Sequence, residues 1–517
     1  PGIGATLQSV DESSVKDIPG VVKVVRQNNF LGVVAETEWA AITAAQELKA
    51  SWSSWEGLPE QSKLWEYVRG TKVSKDDVTS NLGDVEQALQ RAPKKISATY
   101  DFAIHTHGSI GPSCAVAEMK EGKLTCWSAS QATHNLRKQL ANMLSILDTD
   151  VRAIYVEGSG CYGRNGHEDA AGDAALLAKA VGRPVRVQWM RADEHGWDPK
   201  GCPTLIDFQG GLDANGKVVA WYSQFFIPEG AAGNVKLVAA ELAGLPHETA
   251  LAPGSVFQNT AIPYGFPNVR TVAHRLAETP LRPSWIRAPG RMQNTFANEG
   301  FMDELAAAAG VDPLEFRLQY INDVRGTDLL KRLATLAKWE PRTSRKAESG
   351  DLVTGRGISY VKYELSRTYV GAVATVDVNR KSGEIHARHF AIVQDCGQII
   401  NPDGVKNQIE GCVLQTLSRT LKEEVTFDRS KVTSVNWASY PILTFPEIPE
   451  VEIELIDRPT EKPWGVGEPA SAVVPSAIAN AVFDAIGVRL RSVPFKPAKV
   501  HSAILSAQNA VSIAQSA

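Results

Sequence analysis

The sequence predicts a mixed α/β protein of the α+β kind, laid out as three successive regions. Three observations carry this. A chain of 517 residues exceeds what one hydrophobic core supports. Strand-like and helix-like apolar patterns alternate along its length without an internal repeat. A polar stretch at residues 341–350 divides two such mixed segments. The expected regions are 1–93, 94–345 and 346–517.

In order, residues 21–25 and 30–35 read as strands joined by an Asn28-Asn29 turn. A helix follows over 37–50, with Trp39, Ile42 and Leu48 on its apolar side. Residues 51–93 are polar and read as a connecting arm with helices near 61–67 and 85–91. The second region shows strands at 124–128, 153–156 and 185–189 and helices at 170–181 and 296–309. The third shows strands at 372–378 and 451–456. Its last clear helix has Pro475 in the first turn, an apolar face of Ile478, Val482, Phe483 and Ile486, and Gly487 as its stop.

Composition excludes several classes. A net charge of −4 gives no basic footprint for nucleic acid. No apolar run is expected to reach the length of a membrane span. The six cysteines form no C-x-x-C pair, so the chain itself shows no ligand pattern for an iron–sulfur, structural zinc or c-type haem site. His105, His107 and His134 read as satisfied histidines rather than a metal site.

Two loops carry the chemistry. Residues 158–163, Gly-Ser-Gly-Cys-Tyr-Gly, match G-x-G-x-x-G between a strand and a helix, the context of a dinucleotide fingerprint. Two features oppose that reading: the loop is expected to run on through 164–169 before any helix, and the next strand lacks a ribose-binding acid at its tip. A structural turn remains the plain alternative. Residues 463–470, Pro-Trp-Gly-Val-Gly-Glu-Pro-Ala, set a lone carboxylate between glycines and a proline. Pro469 is expected to hold Glu468 extended, and a rigidly placed acid suits a general base. Taken alone, an ordinary exposed turn explains it better than a general base does.

Five segments in register resemble the molybdopterin-binding large subunit of the molybdenum hydroxylases, the xanthine dehydrogenase and aldehyde oxidase family, most nearly its nicotinate dehydrogenase and isoquinoline oxidoreductase type. Residues 127–133 place Gln131 where the family bonds an oxygen ligand of molybdenum. Residues 158–163 resemble the family's glycine turn beside metal and pterin, with Gly160, Cys161, Tyr162 and Gly163 as cofactor neighbours; Cys161 and Tyr162 depart from the usual Phe and Gly. Residues 285–291 supply Arg287 at the active-site floor, followed by Ala288. Residues 395–402 lead to Gln408, a cofactor-contacting glutamine, and Gly411. Gly467 and Glu468 match the glycine and catalytic glutamate of the fifth motif.

The resemblance implies a partial α/β hammerhead domain and arm (1–93) followed by two molybdopterin-binding domains (94–345 and 346–517). It implies hydroxylation with water as the oxygen source, Glu468 as the base, and Gln131 and Arg287 orienting ligands and stabilising negative charge. The cofactor would be molybdenum with molybdopterin, in the cytosine dinucleotide form. Electrons would leave through a [2Fe-2S] partner subunit to a flavin or cytochrome acceptor. The family's Gly-Gln-Gly segment does not occur here. A second polypeptide or an upstream segment is therefore expected to complete the cofactor site. Nicotinate-like N-heteroaromatics are the first substrate expectation and aldehydes the second. Tyr360 and Tyr363 are expected to line the pocket and Arg164 or Arg291 to meet a substrate carboxylate. The location expected is the bacterial cytoplasm, or the inner membrane or periplasm. Plainer readings stand beside these: Gln131 as a helix cap, Arg287 as an ion-pair partner of Glu299 or Asp303, Gln408 as a helix-surface amide. A nicotinamide-dependent dehydrogenase and a cofactor-free scaffold subunit are the rival functions.

Overall fold

The computed structural model describes residues 1–230, 233–343 and 350–516, with side chains described through 509. Strands Val21–Gln27 and Phe30–Ala35 form an antiparallel hairpin, and Asn28 turns it in a left-handed conformation (φ 50°). Thr37 caps helix Glu38–Glu47 by accepting from the Ala40 N–H at 3.2 Å. That helix stops short of residue 50 because Lys49–Trp52 pairs antiparallel with Leu7–Asp11. The hairpin packs on helix His167–Val181, where a Cβ on Gly32 would stand 2.9 Å from Leu177.

The arm keeps its helices, Leu64–Gly70 and Val85–Arg91, but the stretch between them, Val73–Leu82, is a strand. It lies at the edge of a six-stranded sheet, antiparallel to Val269–Leu276. Its polarity hid it: Lys75, Asp76 and Asp77 are typical of an exposed edge strand, which charge protects from further pairing. Across the sheet the order runs Ser492–Val493, Lys94–Phe102, Thr204–Leu212, Val218–Pro228, Val269–Leu276 and Val73–Leu82. One edge therefore comes from the end of the chain and the other from the arm, so the regions interlock. Helix Arg291–Ala309 covers this sheet and is buried continuously from Arg291 to Ala306. Its acids are neutralised inside: Glu299 takes Arg317 at 2.8 Å, and Asp303 takes Arg489 at 2.6 Å.

A four-stranded sheet, ordered Val185–Gln188, Cys114–Lys120, Lys123–Ser128, Val151–Tyr155, is covered by helices Thr133–Leu144 and His167–Val181. The strands before and after the glycine loop thus lie on opposite edges, two strands apart. A dinucleotide-binding βαβ unit belongs to an open, mostly parallel sheet; here the intervening pairs Lys123–Ser128/Cys114–Lys120 and Cys114–Lys120/Val185–Gln188 are both antiparallel.

The third sheet orders Leu352–Lys362, Tyr369–Asn379, Ile385–Asp395 and Glu450–Ile456. Helix Val474–Ile486 lies on it so closely that a Cβ on Gly357 would stand 2.2 Å from the Ala477 carbonyl oxygen. Gly487 ends that helix in the left-handed region (φ 74°). The stretch Pro469–Ile486 corrects one expectation. Its 18 residues have a mean hydropathy of 1.3, long and apolar enough to cross a membrane by composition, and 83% of the stretch is buried inside the fold. It is a core helix.

Candidate cofactor and active site

The glycine loop is stitched to the segment carrying Arg287. Gly163 bridges Ile286 in antiparallel fashion, the Arg164 N–H donates to the Trp285 carbonyl at 3.1 Å, and the Arg287 N–H donates to the Tyr162 carbonyl at 2.9 Å. Such a close approach needs glycine. Gly163 has φ 123°, and a Cβ there would stand 2.1 Å from the Trp285 carbonyl oxygen. His107 braces the same carbonyl from Nε2 at 2.6 Å, while its Nδ1 faces Asp198 at 3.1 Å. The loop is shorter than expected: the helix begins at His167, inside the stretch read as loop.

Arg287 then reaches across to the glutamate loop. Its Nε donates to the Gly467 carbonyl at 2.7 Å, Nη2 to Gln408 Oε1 at 2.9 Å, and Nη1 to Gln415 Oε1 at 3.4 Å. The alternative pairing with Glu299 or Asp303 falls away, since both acids face other arginines. Asn401 caps helix Pro402–Leu421 by accepting from the Gly404 N–H at 3.0 Å, and Pro402 fills its first turn. Gln408, Cys412 and Gln415 sit at i, i+4 and i+7 on that helix and so share the face toward Arg287. The Cys412 thiol donates to the Gly467 carbonyl at 3.3 Å. Cys412 and Gln415 escaped sequence reasoning, although this spacing was there to be read.

Glu468 is half-buried. Its backbone (φ −130°, ψ −34°) is not the extended one expected before a proline; its carbonyl accepts from the Ser471 N–H at 2.9 Å and opens the short turn Pro469–Ala472. The Tyr363 hydroxyl donates to Glu468 Oε2 at 2.6 Å. Tyr363 stands at the tip of the hairpin formed by Leu352–Lys362 and Tyr369–Asn379, and Thr368 Oγ1 ties that tip to the Gly465 carbonyl at 3.0 Å.

Gln131 is exposed between strand Lys123–Ser128 and helix Thr133–Leu144, where Ala132 stands at the N-cap without a side-chain bond, so Gln131 is no cap. Its amide lies within hydrogen-bonding reach of Cys161, whose thiol burial and then Glu168 push up to about 11. Ala288 follows Arg287 in a left-handed conformation (φ 60°) and is fully buried.

Three other expected residues sit differently. Tyr360 lies in the core, its N–H donating to Glu299 Oε2 at 2.8 Å and its hydroxyl close to Gly326. Arg164 is buried against Glu168 at 2.7 Å, and Arg291 is paired with Glu364. Both guanidiniums already have carboxylates. His105 and His107 are buried and bonded to protein groups, and among the described residues no cluster of three or more His, Cys, Asp or Glu is arranged to hold a metal.

Two segments match models of the molybdopterin cofactor-binding domain, residues 69–321 and 303–449. The chain belongs to the molybdenum hydroxylase family. Over 513 residues it is 42% identical to a nicotinate dehydrogenase subunit of Pseudomonas putida, covering 97% of this chain and 43% of that protein. It therefore spans less than half the length of that relative. Membrane-bound aldehyde dehydrogenase of Gluconacetobacter polyoxogenes is 29% identical over 96% of this chain and 67% of its own length. In fold, quinoline 2-oxidoreductase from Pseudomonas putida 86 superposes with a TM-score of 0.79 at 15% identity, covering 97% of this chain and 93% of that one.

The residues present fit a metal carried by a pterin. The amides of Gln131 and Gln408 are exposed, a Cβ at Gly465 would meet nothing within 4 Å, and one at Gly467 nothing nearer than Gln408 Oε1 at 3.7 Å. This leaves glycine backbone and two neutral amides at an open surface, with the Arg287 guanidinium bonded behind them, a set suited to hydrogen-bonding anionic oxygen and sulfur groups rather than ligating a bare ion.

Proposed function

We propose that the chain is the cofactor-binding, catalytic part of a hydroxylase that oxidises a nicotinate-like N-heteroaromatic, with water as the oxygen source. When bound, the molybdenum cofactor would supply the electron sink and the oxygen for hydroxylation. Glu468 would accept the proton that this hydroxylation releases. Arg287 fixes Gly467 and hence the place of Glu468. Gln131, Gln408 and the backbone at 160–163 would hold the cofactor beside it. The observation that carries this is the Arg287 Nε bond to the Gly467 carbonyl at 2.7 Å, because the same residue also bonds Gln408 Oε1 and, through its N–H, the Tyr162 carbonyl, and so joins glycine loop, Gln408 and the glutamate loop into one unit.

The name of the 42% identical relative supports nicotinate as the substrate class. A second reading, an aldehyde as substrate, is supported by the name of the relative from Gluconacetobacter. We assign the cytosine dinucleotide form of the cofactor, iron–sulfur clusters on a partner subunit, a flavin or cytochrome acceptor beyond it, and a further polypeptide segment completing the cofactor site on the open side at Gly465. We place the complex, as a proposal, in the bacterial cytoplasm or in association with the inner membrane or periplasm. The test is turnover of the intact complex with nicotinate and with aldehydes in heavy-oxygen water. One labelled oxygen in a hydroxylated nicotinate product is expected; label entering only a carboxylic acid formed from an aldehyde selects the second reading.

A further inference from the structure

Tyr363 is held with more constraint than a pocket wall requires. It opens a turn in which Glu364 and Leu365 both adopt left-handed backbone conformations (φ 53° and 58°), which non-glycine residues avoid. Asn259, itself left-handed (φ 59°), clamps this turn: its Oδ1 accepts from the Glu364 N–H at 2.8 Å and its Nδ2 donates to the Lys362 carbonyl at 3.0 Å. Arg291 pairs with Glu364 and lays its guanidinium 5.5 Å from the centre of the Tyr363 ring. Strained backbone persists only where its surroundings over-determine it, and such places cluster at functional sites. What the whole arrangement fixes is one hydroxyl, 2.6 Å from Glu468 Oε2.

Resting on the reading of Glu468 as base, we infer that Tyr363 is its positioning residue: the phenol holds Oε2 in one place and leaves Oε1 to take the proton. Tyr363 keeps its own proton throughout. Burial first, and then the Glu468 charge, push its hydroxyl well above the ordinary phenol range, so it remains a donor at any working pH. Arg291, read from sequence as a substrate cation, serves here as the clamp behind the ring.

The test is Tyr363→Phe in the complete cofactor-loaded complex, with two readouts. One is the split between kcat and KM. The other is the pair of infrared carboxylate stretches of Glu468, identified as the bands lost in Glu468→Gln, which needs no turnover. In Tyr363→Phe kcat falls about tenfold with KM changing less than about twofold, and the stretches shift because Oε2 has lost its donor. Should Tyr363→Phe fold poorly, 3-fluorotyrosine at position 363 keeps the shape with a stronger donor, and the stretches shift the opposite way. Stretches and kcat unmoved, while Glu468→Gln is inactive, overturn the role of Tyr363 alone. Stretches that shift while Glu468→Gln turns over normally overturn the reading of Glu468 as base.

Discussion

Arg287 donates from Nε to the carbonyl of Gly467 at 2.7 Å, one residue before Glu468. The same guanidinium bonds Gln408 Oε1, and its own backbone N–H bonds the glycine loop at Tyr162. One residue therefore spans the two halves of the site, and its planar fork is what allows Gly467, Gln408 and Gln415 to be met at once.

Arg287→Lys should retain the charge and lose the fork. With one point donor in place of several, we expect a loss of about 1–3 kcal/mol of stability and a fall in turnover of about ten- to a hundredfold. Denaturant midpoints and kcat of the loaded complex check this. Unchanged kcat would detach Arg287 from the placement of Glu468.

Gly163→Val should deplete the metal. A branched side chain cannot adopt φ 123°, and its Cβ would meet the Trp285 carbonyl 2.1 Å away, so the loop must leave its place beside Arg287. Elemental analysis of the purified complex reads the outcome. Full molybdenum occupancy in this variant would show that the loop does not form the cofactor cradle, and NAD binding lost with metal intact would favour the dinucleotide reading.

Asp173 gives a pH signature of the fold alone. It sits in helix His167–Val181 beneath Trp189, whose Nε1 donates to it at 2.9 Å, and burial raises its pKa from 3.8 to about 7. A carboxyl that resists ionisation when folded stabilises the protein fully below the unfolded pKa. That contribution is lost as pH rises through the window from 3.8 to about 7. Asp173→Asn should flatten the stability profile across this window by several kcal/mol at most. Urea denaturation of both proteins at pH 5 and pH 7.5 measures the difference; parallel profiles would contradict it.

Much of this was legible in the chain. The alternation of patterns, the Gly487 stop and the five motif segments all lie in local sequence, although the helix starting at His167 shortens the glycine loop and the turn at 469–472 takes Glu468 out of the extended conformation. Other features depend on partners far away. Val73–Leu82 looks like an arm because an edge strand carries charge, and only the sheet shows what it pairs with. Tyr360 and Tyr363 are three residues apart and both buried in one core, yet the hydroxyl of Tyr360 ends against Gly326 and that of Tyr363 at Glu468. Arg164 and Arg291 look like free cations in a sequence, since their carboxylates are on Glu168 and Glu364 and only the fold brings the second pair together.

The central claim is that Glu468 is the base beside the cofactor, and rapid-mixing reduction of the Glu468→Gln complex by substrate tests it most directly. The substitution keeps size and the Tyr363 contact and removes only the capacity to accept a proton. With molybdenum content equal to that of the unaltered complex, reduction of the metal by substrate should slow by about two orders of magnitude or more. Reduction at the unaltered rate, at equal metal content, would contradict the account.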